Sequence, residues 1–392
     1  MYTQNTPVHL SLWHKNFWLL AFSNMLVSLV AYMLIPIIPL MMGKNASFAA
    51  SDIALVMAGH GIGIFVLGGF CSYLIQKYRR NLVCCRMMAA TTLTGAAMVY
   101  ILTTGGEVCN IWVLSALSLL MGAAFGLSQM ILCSTLVIDV CESSQRTEAN
   151  YSASWFGRFA LSLGPVMGLL SYRIMGNEGV LYTLLAAGVL ALVLLLMVKF
   201  PFKTPEDDMK LMSTDRFILK RGWPLFINLF LVTFVVGLIL TIKMTLSFYG
   251  MMMGGFLLAL VSQRVVFVNA DLKSEMVAGL LFLGSAILLI LLRRQIIVEY
   301  VSPVLIGWGI GLIGARFLLF YIKLSRHCER GTSQSTFFLA FEAGLYAGLA
   351  AGFSLFYSSE KLLLITALVV VVMAMVLYNS FTHRWYIKHK NR

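Results

Sequence analysis

The chain has 392 residues, 60% of them hydrophobic and 11% charged, with a formal net charge of +13. Its mean hydropathy is +0.87. Soluble domains carry charge on about a quarter of their residues, so a soluble fold is excluded and the basic excess has to be explained on a membrane chain.

Residues 1–16 are mostly polar. The apolar run after them continues through Pro36 and Pro39 without a small-residue cleavage site, so it reads as a first span and not as a cleaved signal. Apolar stretches of about 20 residues then recur in chain order, at roughly 17–41, 52–75, 82–103, 109–137, 151–173 and 178–200. After a polar stretch they resume at roughly 223–242, 246–267, 275–292, 299–322, 335–356 and 361–382. The interruption, Pro201 to Gly222, is the longest polar segment and holds Lys203, Glu206, Asp207, Asp208, Asp215 and Arg216 among its charges. The expected fold is an all-α integral membrane protein of twelve transmembrane helices in two pseudo-symmetric six-helix bundles. These are residues 1–200 and 223–392, joined by a linker at 201–222. All other connections are short, which leaves no room for a soluble catalytic domain.

With the N-terminus in the cytoplasm, 21 of the 29 Lys and Arg fall at cytoplasmic ends or loops. That is the positive-inside asymmetry. The charge is therefore topological, both termini are expected in the cytoplasm, and no nucleic-acid partner is expected.

Two landmarks repeat at offsets that agree within one residue, 186 and 187. Gly68-Gly69-Phe70, followed by Gln76 and Lys77, recurs as Gly254-Gly255-Phe256, followed by Gln263 and Arg264; Cys141-Glu142 recurs as Cys328-Glu329. Duplicated bundles are how many transporters build a site between their halves. Small residues also recur one or two turns apart: Gly122 and Gly126, Gly164 and Gly168, Gly307, Gly311 and Gly314, and Gly344, Gly348 and Gly352. They serve either as packing seams or as sliding surfaces for a rocking motion.

Seven cysteines are present without CxxC or His/Cys zinc spacing, so neither a disulfide nor a metal framework is expected, and no cofactor. Walker, GxSxG and HExxH motifs are missing, and no enzymatic activity is expected.

An ionisable group inside a span costs about 2.5–3.5 kcal/mol on insertion scales and needs a partner or a wet cavity. Three stand out, Arg158 in span five, Arg316 in span ten and Glu342 in span eleven, at similar depth. Arg316 and Glu342 are expected to pair, either as a coupling device or as a permanent ion pair, with Glu342 a candidate proton carrier. Among neutral polar groups, Asn24, His60, Gln129 and Asn228 lie mid-span. Spans one, four, seven and ten are expected to line a cavity, which favours Asn24, Gln129, Asn228 and Arg316. Trp155, Trp308 and Tyr32 are candidates for stacking surface. Two polar breaks, one with Asp139, Glu142, Arg146 and Glu148 and the other with Arg326, Glu329 and Arg330, face the same side. They form either salt bridges between the halves or solvated loop charges.

Twelve spans, a doubled unit, a polar central linker and a basic turn after span two resemble the major facilitator superfamily. In that family's motif between spans two and three, Lys77 and Arg80 fit. Ser72 stands for a Gly, Gln76 for an Asp and Arg79 for a second Gly. Gln76 can cap a helix terminus but brings no charge, so the usual gating latch is expected to be weakened or rebuilt. Ser118 stands where many proton-coupled members have an arginine. Gly164-Pro165-Val166-Met167-Gly168 is similar to the antiporter motif of span five. The resemblance implies a monomeric secondary transporter of the bacterial inner membrane, taking a small-molecule substrate by alternating access among membrane lipid. Proton-coupled export is the favoured reading. Import of a sugar or another small, even anionic, metabolite is the alternative, and an intramembrane enzyme is a third.

Overall fold

The computed structural model describes residues 12–390 except 45–47, 107–108, 143, 201–209, 268–269, 293–294 and 327–328. Among the described residues, eleven helices are long and apolar enough to cross a membrane. One of them, Arg146–Leu196, has 51 residues. At 1.5 Å per residue a straight helix of that length would reach roughly 77 Å, more than twice the roughly 30 Å hydrocarbon core. It does not run straight. Gly176 has φ +68°, a backbone state open to glycine at little cost, and Ser171 and Thr183 share a hydroxyl contact of 2.7 Å across twelve residues. The chain turns back on itself there and crosses twice.

The crossings are therefore α1 (Lys15–Lys44), α2 (Ala50–Lys77), α3 (Arg80–Thr104), α4 (Ile111–Asp139), α5 (146–175) and α6 (177–196). The second set is α7 (Lys220–Ile242), α8 (Leu246–Val265), α9 (Leu272–Leu292), α10 (Ile296–Leu324), α11 (Arg330–Ser354) and α12 (Glu360–His389). An even number of crossings puts the linker and both ends of the described chain on one face, called the linker face below.

Packing repeats between the halves. The α1–α5, α2–α4 and α3–α4 pairs of the first bundle have counterparts in α7–α11, α8–α10 and α9–α10 of the second. The bundles meet through α2 against α11 and α8 against α5, which is one contact written twice under pseudo-twofold symmetry.

The glycine rows mostly serve the inside of each bundle. A Cβ on Gly348 would fall 2.1 Å from the Phe234 carbonyl oxygen of α7, and one on Gly122 2.2 Å from that of His60 in α2. Gly307 and Gly164 press in the same way on α8 and α1. Apolar side chains gain little by leaving lipid for one another, so such close approach supplies the association. These rows are seams that hold a bundle together. Only their ends, such as Gly314 beside Arg158, reach across to the other half.

Candidate functional site

A central cavity of about 50 Å³ lies between the bundles. It is bounded by α1, α4 and α5 of the first half and by α11 of the second. It has room for on the order of three or four waters. The halves touch on both sides of it. Toward the linker face Tyr151 donates to Gln263, and Gly331 lies on Ser134. Toward the opposite face the His60 ring stacks on Tyr346 at 4.3 Å between centroids. Ser162 donates to the Tyr249 carbonyl on that side as well. The conformation is closed around the cavity.

Glu342 lies twelve residues from each end of α11, at the centre of the fold. Helix α11 begins at Arg330, five residues ahead of the apolar run, so Glu342 is deeper than Arg316. Its Oε1 accepts the hydroxyl of Tyr32 on α1, a bond that crosses from one half to the other. Its Oε2 has no partner. The Tyr32 ring was expected only as stacking surface; its hydroxyl turns out to be the donor.

Arg158 on α5 also lines the cavity. Its Nη2 donates to Ser154 Oγ at 2.8 Å, and its guanidinium lies 4.6 Å from the Trp155 ring and 6.0 Å from that of Phe337. Its Nε and Nη1 have no partner. Asn24 and Gln129 are where span-level reasoning expects them. Asn24 donates to the Ala153 carbonyl at 3.1 Å, Gln129 to Ser28 at 3.1 Å, and both amide oxygens are approached by the thiol of Cys133. Cys133 sits in a π-helical turn, Leu132–Leu136, inside α4. Such turns are frequent at functional sites.

Sequence reasoning missed Gln334, whose Oε1 lacks a partner, and the wall of Phe337, Phe338 and Phe341. The signal was there: 334, 337, 338, 341 and 342 follow the i, i+3, i+4, i+7, i+8 spacing of one helix face.

Three expected placements are corrected. Arg316 does not pair with Glu342; α10 turns it toward α9, where its Nε and Nη2 both meet Glu275 Oε2. Glu275 is fully buried, and its Oε1 accepts Gln263 Nε2 at 2.6 Å, so Tyr151, Gln263, Glu275 and Arg316 form one chain of bonds. Asn228 faces α12 and donates to the Ala374 carbonyl at 3.0 Å, away from the cavity. His60 faces a separate small void with Ser118 and Tyr346, and its Nε2 is unpartnered. Ser118 itself donates to the Val56 carbonyl of α2 at 2.7 Å, a packing bond. Spans seven and ten therefore yield the cavity to five and eleven in this closed conformation.

Ion pairs at the polar breaks form within each half. Arg80 pairs with Asp139 at 2.9 Å within the first bundle. Glu329 meets Arg221, at the start of α7, and belongs to the second. Lys77, Arg79 and Arg264 are exposed, Lys77 bonding Tyr73 at 2.7 Å, while Glu142, Arg146 and Arg330 are half-buried. Gly164 and Gly168, flanking Pro165, pack on Leu29 and Met33 of α1.

The linker closes this face instead. Asp215 accepts Ser72 Oγ of α2 at 3.2 Å and Thr332 Oγ1 of α11 at 3.1 Å. Arg216 donates to Thr135 of α4 at 2.6 Å, and Phe217 covers Gly68. Where Gln76 brings no charge and leaves its Oε1 unpartnered, a carboxylate from the linker reaches the first turn of α11, the end of a helix that favours negative charge. Asp215 thereby ties α2 of the first half to α11 of the second. Burial pushes the thiol of Cys141, in the turn after α4, up to about 11, so it stays protonated near neutral pH. The linker residues 201–209, Cys328, and Arg293 and Arg294 lie outside the described residues.

The sequence model of the Major Facilitator Superfamily matches residues 20–348. No curated protein matches the sequence. A crystal structure of a single-residue variant of the nucleoside transporter NupG is similar in fold, with TM-score 0.64 over 94% of this chain and 99% of that one. Identity between the two is 13%, so the likeness is one of architecture. The doubled bundle, the site between its halves and the match over most of the sequence lead to one statement: this multi-pass membrane protein belongs to the Major Facilitator Superfamily and is a secondary transporter of a small molecule, not an enzyme.

Proposed function

We propose that the protein exports a small amphipathic molecule in exchange for protons, with Glu342 as the proton-carrying group. The observation that carries this is the bond from Tyr32 to Glu342. It joins the two halves in the closed conformation, and the second carboxylate oxygen is left open to the cavity. A carboxylate accepts the tyrosine hydroxyl strongly, whereas a protonated carboxyl holds it less well and frees α1 from α11. Charge state and opening are thereby linked through one atom. The Gly164-Pro165 motif, on the α5 seam against α1, favours the outward direction.

In this reading the halves, 1–200 and 223–392, rock as rigid units about the cavity. The linker face is cytoplasmic, since basic residues crowd it. The protein works as a monomer in the cytoplasmic membrane of a bacterium.

The test is substrate flux in reconstituted vesicles under an imposed pH gradient. Glu342→Gln is expected to bind substrate and exchange it at equilibrium, yet to lose acceleration by the gradient. Tyr32→Phe should retain the gradient response with altered pH dependence. Unchanged gradient-driven flux in Glu342→Gln contradicts the proposal.

A further inference from the structure

We infer that the transported molecule carries an anionic group and that Arg158 is its anchor, with an aromatic or apolar body lying against Phe337, Phe338 and Phe341. This rests on the central cavity being the substrate site and adds the class of substrate to it.

Arginine stays charged in proteins, and Arg158 is 5% exposed in the interior of a membrane fold. Among the described residues it has no ion pair. Of its five N–H bonds, the three on Nε and Nη1 have no acceptor. The fold does neutralise an arginine within a span elsewhere, because the fully buried Glu275 holds Arg316. At Arg158 it supplies only the Ser154 hydroxyl and two ring faces. Those rings hold the guanidinium plane through cation–π contact, and the residue lines the cavity.

Small residues surround the guanidinium. Position 157 is a glycine, and a Cβ on Gly314 of α10 would stand 3.3 Å from Arg158 Nε. A carboxylate, sulfonate or phosphate matches the free donors with charge-assisted bonds. The remaining unpartnered atoms in the cavity, Gln334 Oε1 and Glu342 Oε2, are acceptors. They suit a hydroxyl or amine elsewhere on the same molecule. An inside-negative membrane potential favours both an anion moving outward and a proton moving inward.

The experiment measures binding of three matched probes to the purified protein in lipid nanodiscs. They are benzenesulfonate, its neutral analogue benzenesulfonamide and the cation phenyltrimethylammonium. Wild type is expected to bind the sulfonate at least tenfold more tightly than the other two. Arg158→Gln should bind sulfonate and sulfonamide alike, while Arg158→Lys keeps a reduced preference. Gly314→Ala crowds the guanidinium without changing charge and should weaken the sulfonate alone by several-fold. That variant decides the matter if Arg158→Gln does not fold. Equal or tighter binding of the sulfonamide to wild type, no binding of the sulfonate, or an intact anion preference in Arg158→Gln overturns the inference. Anion preference in wild type, lost in Arg158→Gln, alongside unchanged proton-driven flux in Glu342→Gln would sink the coupling reading and leave this one standing.

Discussion

Two arginines within spans, Arg158 buried and Arg316 half-buried, divide the molecule into regions with opposite electrostatic designs. Arg316, in the second bundle, is locked by Glu275 within a chain of bonds running from Gln263 to Tyr151 of the other half. Arg158, beside the central cavity, has ring faces and one hydroxyl but no carboxylate. Both are ionisable groups inside spans, which the sequence presents as equals. The difference separates a charge saturated by a carboxylate from one at the cavity that has no carboxylate partner among the described residues.

The sharpest way to break this contrast is to remove one partner of the saturated pair. Arg316→Met alone leaves the fully buried Glu275 carboxylate unpaired and should cost about 3–5 kcal/mol of stability. Glu275→Leu, which strands a partly exposed arginine, should cost less, and the double substitution should restore most of the loss. Unfolding in detergent checks this, and single variants as stable as the double would contradict it.

At the cavity the expectation reverses. Arg158→Gln removes a charge with no counter-ion, so stability should change by no more than about 1 kcal/mol or should rise. Substrate flux should fall by ~10-fold or more, the equivalent of about 1.4 kcal/mol. Equal losses of stability at the two arginines would erase the distinction.

A smaller effect tests the linker latch. Asp215→Asn weakens two hydrogen bonds to a charged acceptor, each worth about 1.5–3 kcal/mol at most, at a half-exposed site that solvent screens. Opening at the linker face should become several-fold more frequent, read as faster labelling of cavity positions from that side.

The smallest change is expected at Asn228, whose bond to Ala374 is a packing bond in the second bundle. Interhelical hydrogen bonds of this kind average about 0.6 kcal/mol. Asn228→Leu should cost about that much and leave flux unchanged.

The fold was legible because every crossing announces itself as an apolar run, and the gap between 173 and 178 brackets the turn at Gly176 where the helix pattern does not break. The cavity was half legible. Asn24, Gln129, Arg158 and Glu342 are polar groups at positions where polarity is costly, so depth alone finds them. Who pairs with whom was not legible, since that depends on how each helix is rotated. Glu275 opens an apolar run and reads as a rim residue, yet α9 leans in and buries it completely. The resemblance implied that Gln76 weakens the usual latch or leaves it to be rebuilt. It gave no pointer to Asp215, more than a hundred residues away along the chain, whose carboxylate bonds Ser72 and Thr332. No local pattern connects Gln76 with Asp215.

The most direct test of the central cavity as the transport path uses its own thiol. Cys133 lines the cavity. With the other cysteines replaced by serine, a membrane-impermeant thiol reagent is applied to either side of sealed vesicles of known orientation. Alternating access predicts modification of Cys133 from each side in turn, slowed from both by bound substrate. Modification from one side only, or none from either side while the protein transports, would contradict it.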